Sequence, residues 1–151
     1  MFYVILPNIR SLYNIGSIFR TADACGVDKI FLTGYTGRPD KQPKIGKTAL
    51  GAQDSVPWEY VCQTKRVIER LKKQGFEIIA LEQTKKSIDY RKYKPTKNIA
   101  LIVGNEVTGL PKNILNNCDK FIELPMIGQK ESLNVSVAFG IVVYHLIFNK
   151  P

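Results

Sequence analysis

Acidic residues are scarce in this 151-residue chain. Thirteen Asp plus Glu stand against twenty-two Lys plus Arg, giving a formal charge of +9 and a pI near 9.5. Such a surplus suggests an acidic partner, namely RNA, DNA or a membrane surface. Cysteine is also scarce. Cys25, Cys62 and Cys118 are odd in number and far apart, with no C-x-x-C pair, which argues against a disulfide framework and against a zinc site. All three are expected to be small buried hydrophobes. Long apolar runs are missing too. The longest stretch, residues 135–148, is too short to span a bilayer and contains Ser136 and His145, so it reads as a buried helix. Residues 1–7 carry neither the basic segment nor the long apolar core of a signal peptide, and a cytoplasmic location is expected. No low-complexity segment or internal repeat is visible. What remains is an ordinary globular composition, 44% hydrophobic and 23% charged. Its length suits one domain, spanning 1–151, that buries about two thirds of its unfolded surface.

The stretch from residue 99 to 138 organises the rest. Residues 99–103, I-A-L-I-V, have the length and branching of a buried strand and stop at Gly104, in a glycine-bounded loop carrying Asn105, Glu106 and Gly109. The pattern repeats. A strand at 121–124 ends at Pro125, and a second glycine-containing loop leads through Ser132, Leu133 and Asn134 into the final helix. In an open α/β sheet, ligands bind beside the carboxyl ends of strands, so these loops are the first candidate for a small-molecule pocket. Glycines after strands are usually plain turns. Here Glu106, Ser132 and Asn134 put polar groups at element ends, between residues too apolar for a solvated loop.

Earlier in the chain, residues 2–6 read as a strand stopped by Pro7. A helix follows from Asn14 as N-cap to Gly26, with Ile15, Ile18, Phe19, Ala22 and Cys25 on one face. A second strand at 29–33 completes a parallel crossover unit. Arg20 lies near the apolar face of that helix and must reach solvent or meet an anion. Residues 34–54 form a long connection with Arg38, Lys41, Lys44 and Lys47, expected to bind phosphate rather than serve only as a solvated loop. A strand is expected within 56–61, where Trp58 belongs to the core. The segment 64–74 is an amphipathic helix with a basic outer face, a second candidate for RNA contact. Another strand covers 76–82. Segment 85–97 is basic and carries Tyr90 and Tyr93, for which packing is favoured over base stacking. Residues 111–117 read as a helix with proline in its first turn.

The last helix, 132–149, is apolar on two faces: Leu133, Val137, Ile141, Tyr144 and Phe148 on one, Val135, Ala138, Val142 and Leu146 on the other. Two faces need two partners, so one face is expected to form a homodimer interface, with His145 packed rather than catalytic. Two P-loop readings fail. Gly46-Lys47-Thr48 lacks the earlier glycine, because position 41 is Lys41; Gly104 and Gly109 have the spacing, but Leu110 stands where lysine is required.

Three motifs, taken together, carry a family resemblance: N-I-G-S-I-F-R-T-A from Asn14, I-V-G-N-E-V-T-G-L-P from Ile102, and L-P-M-I-G-Q-K-E-S-L-N-V-S-V-A from Leu124. Over nearly its whole length the chain resembles the SpoU branch of the SPOUT superfamily of RNA methyltransferases. The resemblance implies an α/β fold with a mostly parallel sheet flanked by helices on both faces and a C-terminal trefoil knot. Local pattern alone supports only a plain doubly wound fold.

The resemblance further implies transfer of a methyl group from S-adenosyl-L-methionine to a ribose 2′-hydroxyl of tRNA or rRNA, without a metal and with S-adenosyl-L-homocysteine as product. Arg20 matches the family's catalytic arginine. A guanidinium stays protonated at neutral pH, so it is expected to pair with an RNA phosphate rather than act as a free base, an arrangement that activates the 2′-hydroxyl, which Asn14 is expected to orient. Glu106, Ser132 and Asn134 match positions expected to hold loops, arginine and substrate in register. Backbone groups near Leu81, Gly104, Leu124, Met126 and Leu133 are expected to bind the cofactor's adenine and ribose. With no added RNA-binding domain expected, recognition would fall to the basic surface and a homodimer. A non-catalytic RNA-binding dimer and a base-directed methyltransferase are the competing readings.

Overall fold

The computed structural model describes residues 1–150. Seven strands form one sheet in the order β3-β2-β1-β6-β4-β7-β5, and every pairing is parallel. In chain order they are β1 (Phe2–Pro7), β2 (Lys29–Thr33), β3 (Trp58–Val61), β4 (Glu77–Leu81), β5 (Ile88–Asp89), β6 (Ile99–Val103) and β7 (Lys120–Glu123). The unbroken apolar run of β6 suits its central place, where both faces are buried. Helices cover both sides. Against one face lie α1 (Leu12–Cys25), the short α2 (Gly46–Ala49) and α3 (Ala52–Ser55), and α6 (Val135–Phe148), packed on Val4, Leu6, Leu32 and Leu101. Against the other lie α4 (Thr64–Lys73) and α5 (Lys112–Leu115), packed on Ile5, Phe31, Ile78 and Ile102. Alternate residues of β1 thus feed opposite cores, as the two-residue period of a strand requires.

Four local expectations need correction. The N-cap of α1 is Ser11, whose hydroxyl accepts a hydrogen bond from the Asn14 amide; Asn14 sits in the first turn with its side chain released for other work. Segment 34–54 is not an open loop. It holds a 3-10 turn (Pro43–Ile45), α2 and α3, because Ile45, Ala49 and Ala52 are apolar enough to bury against α1. The approach there is so close that a Cβ on Gly16 would lie 2.3 Å from the Ile45 carbonyl oxygen. The final helix starts at Val135 with Asn134 as N-cap, leaving Ser132 and Leu133 in the loop, and Pro111 is the N-cap of α5 rather than a first-turn residue.

Gly26 closes α1 in the left-handed conformation at φ 78°. Cys25 is buried, Cys118 half-buried and Cys62 exposed, so the expectation of three buried thiols fails at Cys62, which follows the end of β3. Burial pushes the Cys25 thiol up to about 11 and the Cys118 thiol up to about 12, leaving both protonated at neutral pH. Tyr93 is buried, its hydroxyl donating to Glu77, and Tyr90 packs edge-on against a half-buried His145 at 5.1 Å, so all three are packing groups. On α6, Phe139, Val142, Val143 and Leu146 enter the core, while Val137, Ile141, Tyr144 and Phe148 remain exposed with Leu133.

Candidate active site

The carboxyl ends of β6, β4 and β7, neighbours in the sheet, open onto one cavity of about 290 Å³. Its walls are the segment after β4, the loop after β6 and the loop after β7. Gly104, Leu124, Met126 and Leu133, which belong to the second and third motifs, and Leu81, which the resemblance adds, all line it. Val103, Val135 and Ala138 add apolar surface; Glu82, Glu123 and Glu131 add carboxylates. Gly128 is not among the lining residues, so only part of the third motif's loop faces the cavity.

The loop after β6 is rigidly built. The Asn105 side-chain oxygen accepts from the amides of Val107 (2.7 Å) and Thr108 (3.1 Å), and its amide nitrogen donates to the Asn8 carbonyl at 2.6 Å and the Tyr35 hydroxyl at 2.7 Å. Gly104 folds back on Gly109, so a Cβ on Gly104 would lie 2.8 Å from Gly109 and Leu110 backbone atoms. Glu82 pins the far end: one carboxylate oxygen accepts from the Leu110 amide at 2.8 Å and the other from the Gln83 amide at 3.2 Å.

Glu106 turns out of this loop to the entrance of α1. Its two oxygens accept from the amides of Arg10 and Ser11, each at 3.1 Å, and one also accepts from the Asn14 side chain at 3.3 Å. Partial burial pushes the carboxyl up, but the amides of Arg10, Glu106 itself and Ser11, with Asn14, outweigh it and hold the group below its ordinary value. Glu106 is therefore ionised at neutral pH. Asn134 completes the line. Its side-chain nitrogen donates to the Asn14 side-chain oxygen at 3.1 Å, while its own oxygen accepts from the amides of Ser136 (2.9 Å) and Val137 (3.4 Å). One residue from each motif thus joins a continuous chain, Glu106 to Asn14 to Asn134. It runs along a second hollow of about 520 Å³, and Glu106, Ser132 and Leu133 line this hollow as well as the first.

Arg20 stands apart. It is exposed on α1 and lines neither hollow, because six helical residues carry it away from Asn14. Its neighbour Thr21 lies beside α6, 3.8 Å from a Cβ built on Gly140. Sequence reasoning also passed over Glu82, Gln83 and Ser11. Glu82 and Gln83 carried a signal, being polar residues directly after a buried strand, as Glu106 is after β6.

Residues 1–144 match the SpoU rRNA Methylase family. The chain belongs to that family. It is 35% identical over 144 residues to the tRNA (guanosine(18)-2′-O)-methyltransferase of Aquifex aeolicus (strain VF5), a match covering 93% of this chain and 66% of that protein. It is 33% identical over 147 residues to a Staphylococcus aureus (strain COL) protein named for the TrmH family of tRNA/rRNA methyltransferases, covering 97% and 58%. In structure it is similar to the AdoMet-bound rRNA methyltransferase of Sinorhizobium meliloti, with a TM-score of 0.88 and 30% identity over 95% of this chain and 54% of that one. The chain therefore spans less than two thirds of the length of these relatives. Within this SpoU-family chain, no three His, Cys, Asp or Glu residues among those described are placed to hold a metal, and no described helix is long and apolar enough to cross a membrane.

Proposed function

We propose that this SpoU-family protein transfers a methyl group from S-adenosyl-L-methionine to a ribose 2′-hydroxyl of tRNA or rRNA, leaving S-adenosyl-L-homocysteine. The observation that carries this reading is the hydrogen-bonded chain from Glu106 through Asn14 to Asn134, laid beside a cavity that all five expected cofactor residues line. The cavity suits the donor. It is close to the lower end of the size range for small-molecule sites, about 300 Å³, and offers apolar walls, bare backbone at Gly104 and Gly109, and four carboxylates, those of Glu82, Glu106, Glu123 and Glu131, for a cation.

When bound, the donor supplies a methyl group on a cationic sulfonium, so the protein's share of the rate is positioning. Leu81, Leu124, Met126 and Leu133 would grip the nucleoside and exclude water. Asn14 is held by Glu106 on one side and Asn134 on the other, so its amide is oriented toward the second hollow, where the acceptor ribose would sit. Ser132 is the hydroxyl-bearing residue that lines both hollows, where its hydroxyl would reach donor and acceptor alike. Arg20 would bind an RNA phosphate as a guanidinium fork.

Arg20 can serve such a site through a second copy of the chain. The exposed stripe of Val137, Ile141, Tyr144 and Phe148 on α6 supports a homodimer, and Arg20 lies next to the α1 residue that touches α6. In this reading Arg20 acts on the hollow of the partner subunit. The family resemblance adds the trefoil knot; the basic surplus of segment 34–54 adds its lysines as phosphate contacts, and a cytoplasmic location completes the reading.

Incubation with labelled methyl donor and separate tRNA and rRNA pools, followed by nucleoside mapping, tests the activity. Ribose-methylated nucleosides are expected; base-methylated products or no transfer would overturn it. Arg20→Ala should abolish transfer and leave donor binding within a few-fold by calorimetry. Val137→Glu should dissociate the dimer in sedimentation and abolish transfer with it.

A further inference from the structure

The basic surplus is not spread evenly once its partners are counted. On α4, expected to offer a basic face, Lys65 pairs with Glu69 at 3.8 Å, Arg70 with Glu59, and Lys72 with Asp119 at 3.2 Å. Arg38 and Arg91 are likewise paired, with Asp40 and Asp89. Much of that charge is therefore already answered. A different group is not. Lys85 and Lys86 in the turn after β4, Lys112 at the start of α5 and Lys120 at the start of β7 line one groove of about 740 Å³, floored by Leu115 and Phe121. All four lysines are exposed and none has an ion-pair partner among the described residues. The one carboxylate lining the groove, Asp119, is committed to Lys72 and to the Ile78 amide at 2.8 Å.

We infer that this four-lysine groove is a track for the phosphate backbone of the RNA substrate, an inference that rests on the RNA reading above. The chemistry favours a polyanionic strand. Lysine ammoniums on flexible stems are point charges that neutralise successive phosphates without reading bases, and arginine, the residue of bidentate recognition, is absent from the lining. Place favours it too. Glu82 and Gln83 line the donor cavity and run directly into Lys85 and Lys86; Gly109, also at the cavity, leads through Leu110 and Pro111 into Lys112. A strand lying in the groove is thus anchored by the same two segments that wall the donor cavity. The groove lies on the α4 and α5 side of the sheet, opposite α6, so a dimer formed through α6 leaves it open.

The test measures binding of labelled bulk tRNA and of a random single-stranded RNA against KCl concentration, for the wild type and for K85Q/K86Q/K112Q/K120Q, with donor binding measured alongside. Neutralising one phosphate-binding lysine should lower the slope of log affinity against log salt by about 0.7 to 0.9, so the quadruple variant should have a slope smaller by about 3 and bind at least tenfold more weakly in moderate salt. Donor affinity should stay unchanged. K65Q/R70Q, whose charges are already paired, should lower the slope by less than 1. Should the quadruple variant fold poorly, the four single variants each carry the same test. A wild type that binds RNA with a slope the groove variants leave intact overturns the groove and spares the methyltransferase reading. A wild type with no affinity for RNA overturns both. Loss of binding to anionic phospholipid vesicles, with RNA binding intact, would assign the groove to a membrane surface and overturn the inference.

Discussion

Two loops wall the proposed donor cavity, and they are built in opposite ways. The loop after β6 is held at nearly every residue: Asn105 ties it inward and to Asn8 and Tyr35, Glu106 fastens it to the entrance of α1, and Glu82 holds its exit at Leu110. In the loop after β7, residues 125–133, one hydrogen bond joins the described residues to the rest of the protein, from the Gln83 side chain to the Glu131 carbonyl at 2.8 Å. Ile127 at its tip is fully exposed. The first loop is prepared before any ligand arrives, while the second is free to yield and re-close at little cost. A densely hydrogen-bonded loop gives precision, and a lightly tethered one gives access.

Breaking the rigid loop should have the largest effect. In Gly104→Ala the added Cβ meets backbone rather than a flexible side chain, so the wall must shift, and overpacking of about 1–3 kcal/mol should weaken donor binding about 10- to 100-fold by calorimetry. Glu106→Gln should act more mildly. It keeps an acceptor but loses the charge, and the exposed position screens the difference, so thermal or denaturant melts at pH 7 should show about 1 kcal/mol lost. The sign of its pH dependence follows from a lowered folded-state carboxyl: the stabilisation is present above the ordinary carboxylate value and fades as pH falls through the folded one. Melts of wild type and variant should therefore converge on acidification below about pH 4. Persistence of the gap there would show that shape, not charge, is what Glu106 supplies. Gln83→Ala should have the smallest effect. Losing one neutral hydrogen bond, worth about 0.5–1.5 kcal/mol, from the tethered loop should raise the donor's KM about 3- to 10-fold while the melting temperature hardly moves. A large drop in melting temperature instead would mean the second loop is as structural as the first.

Much of this was legible in the chain itself. β6 and β2 fall at the expected residues because an unbroken branched run bounded by glycine or aspartate has few other solutions, and Gly26 ends its helix at positive φ as its position suggested. The apolar stripe on α6 that remains exposed was also visible as a second hydrophobic face. Other features were invisible for a physical reason. Ser11 displaced Asn14 as cap because both residue types can cap, and only the path of the chain decides which does. Segment 34–54 folded because α1 offers Gly16 as a place for close approach, a fact about two distant segments at once.

Sequence alone determined six of the seven strands, the glycine stop of α1, the excess of positive charge and the three motifs, since these depend on local periodicity and on residue chemistry. The two-residue β5 and the starts of α1, α5 and α6 were settled by the path of the chain. Tertiary structure decided which groups meet: that Glu106, ninety-two residues on, would hold Asn14 in place, that Asn134 would take its other side, and that Arg20 would stay exposed and line neither hollow. It also decided which lysines stay unanswered: the pairs Lys65–Glu69, Arg38–Asp40 and Arg91–Asp89 are local along the chain, but Lys29–Glu59, Arg70–Glu59 and Lys72–Asp119 join separate segments that only the fold brings together.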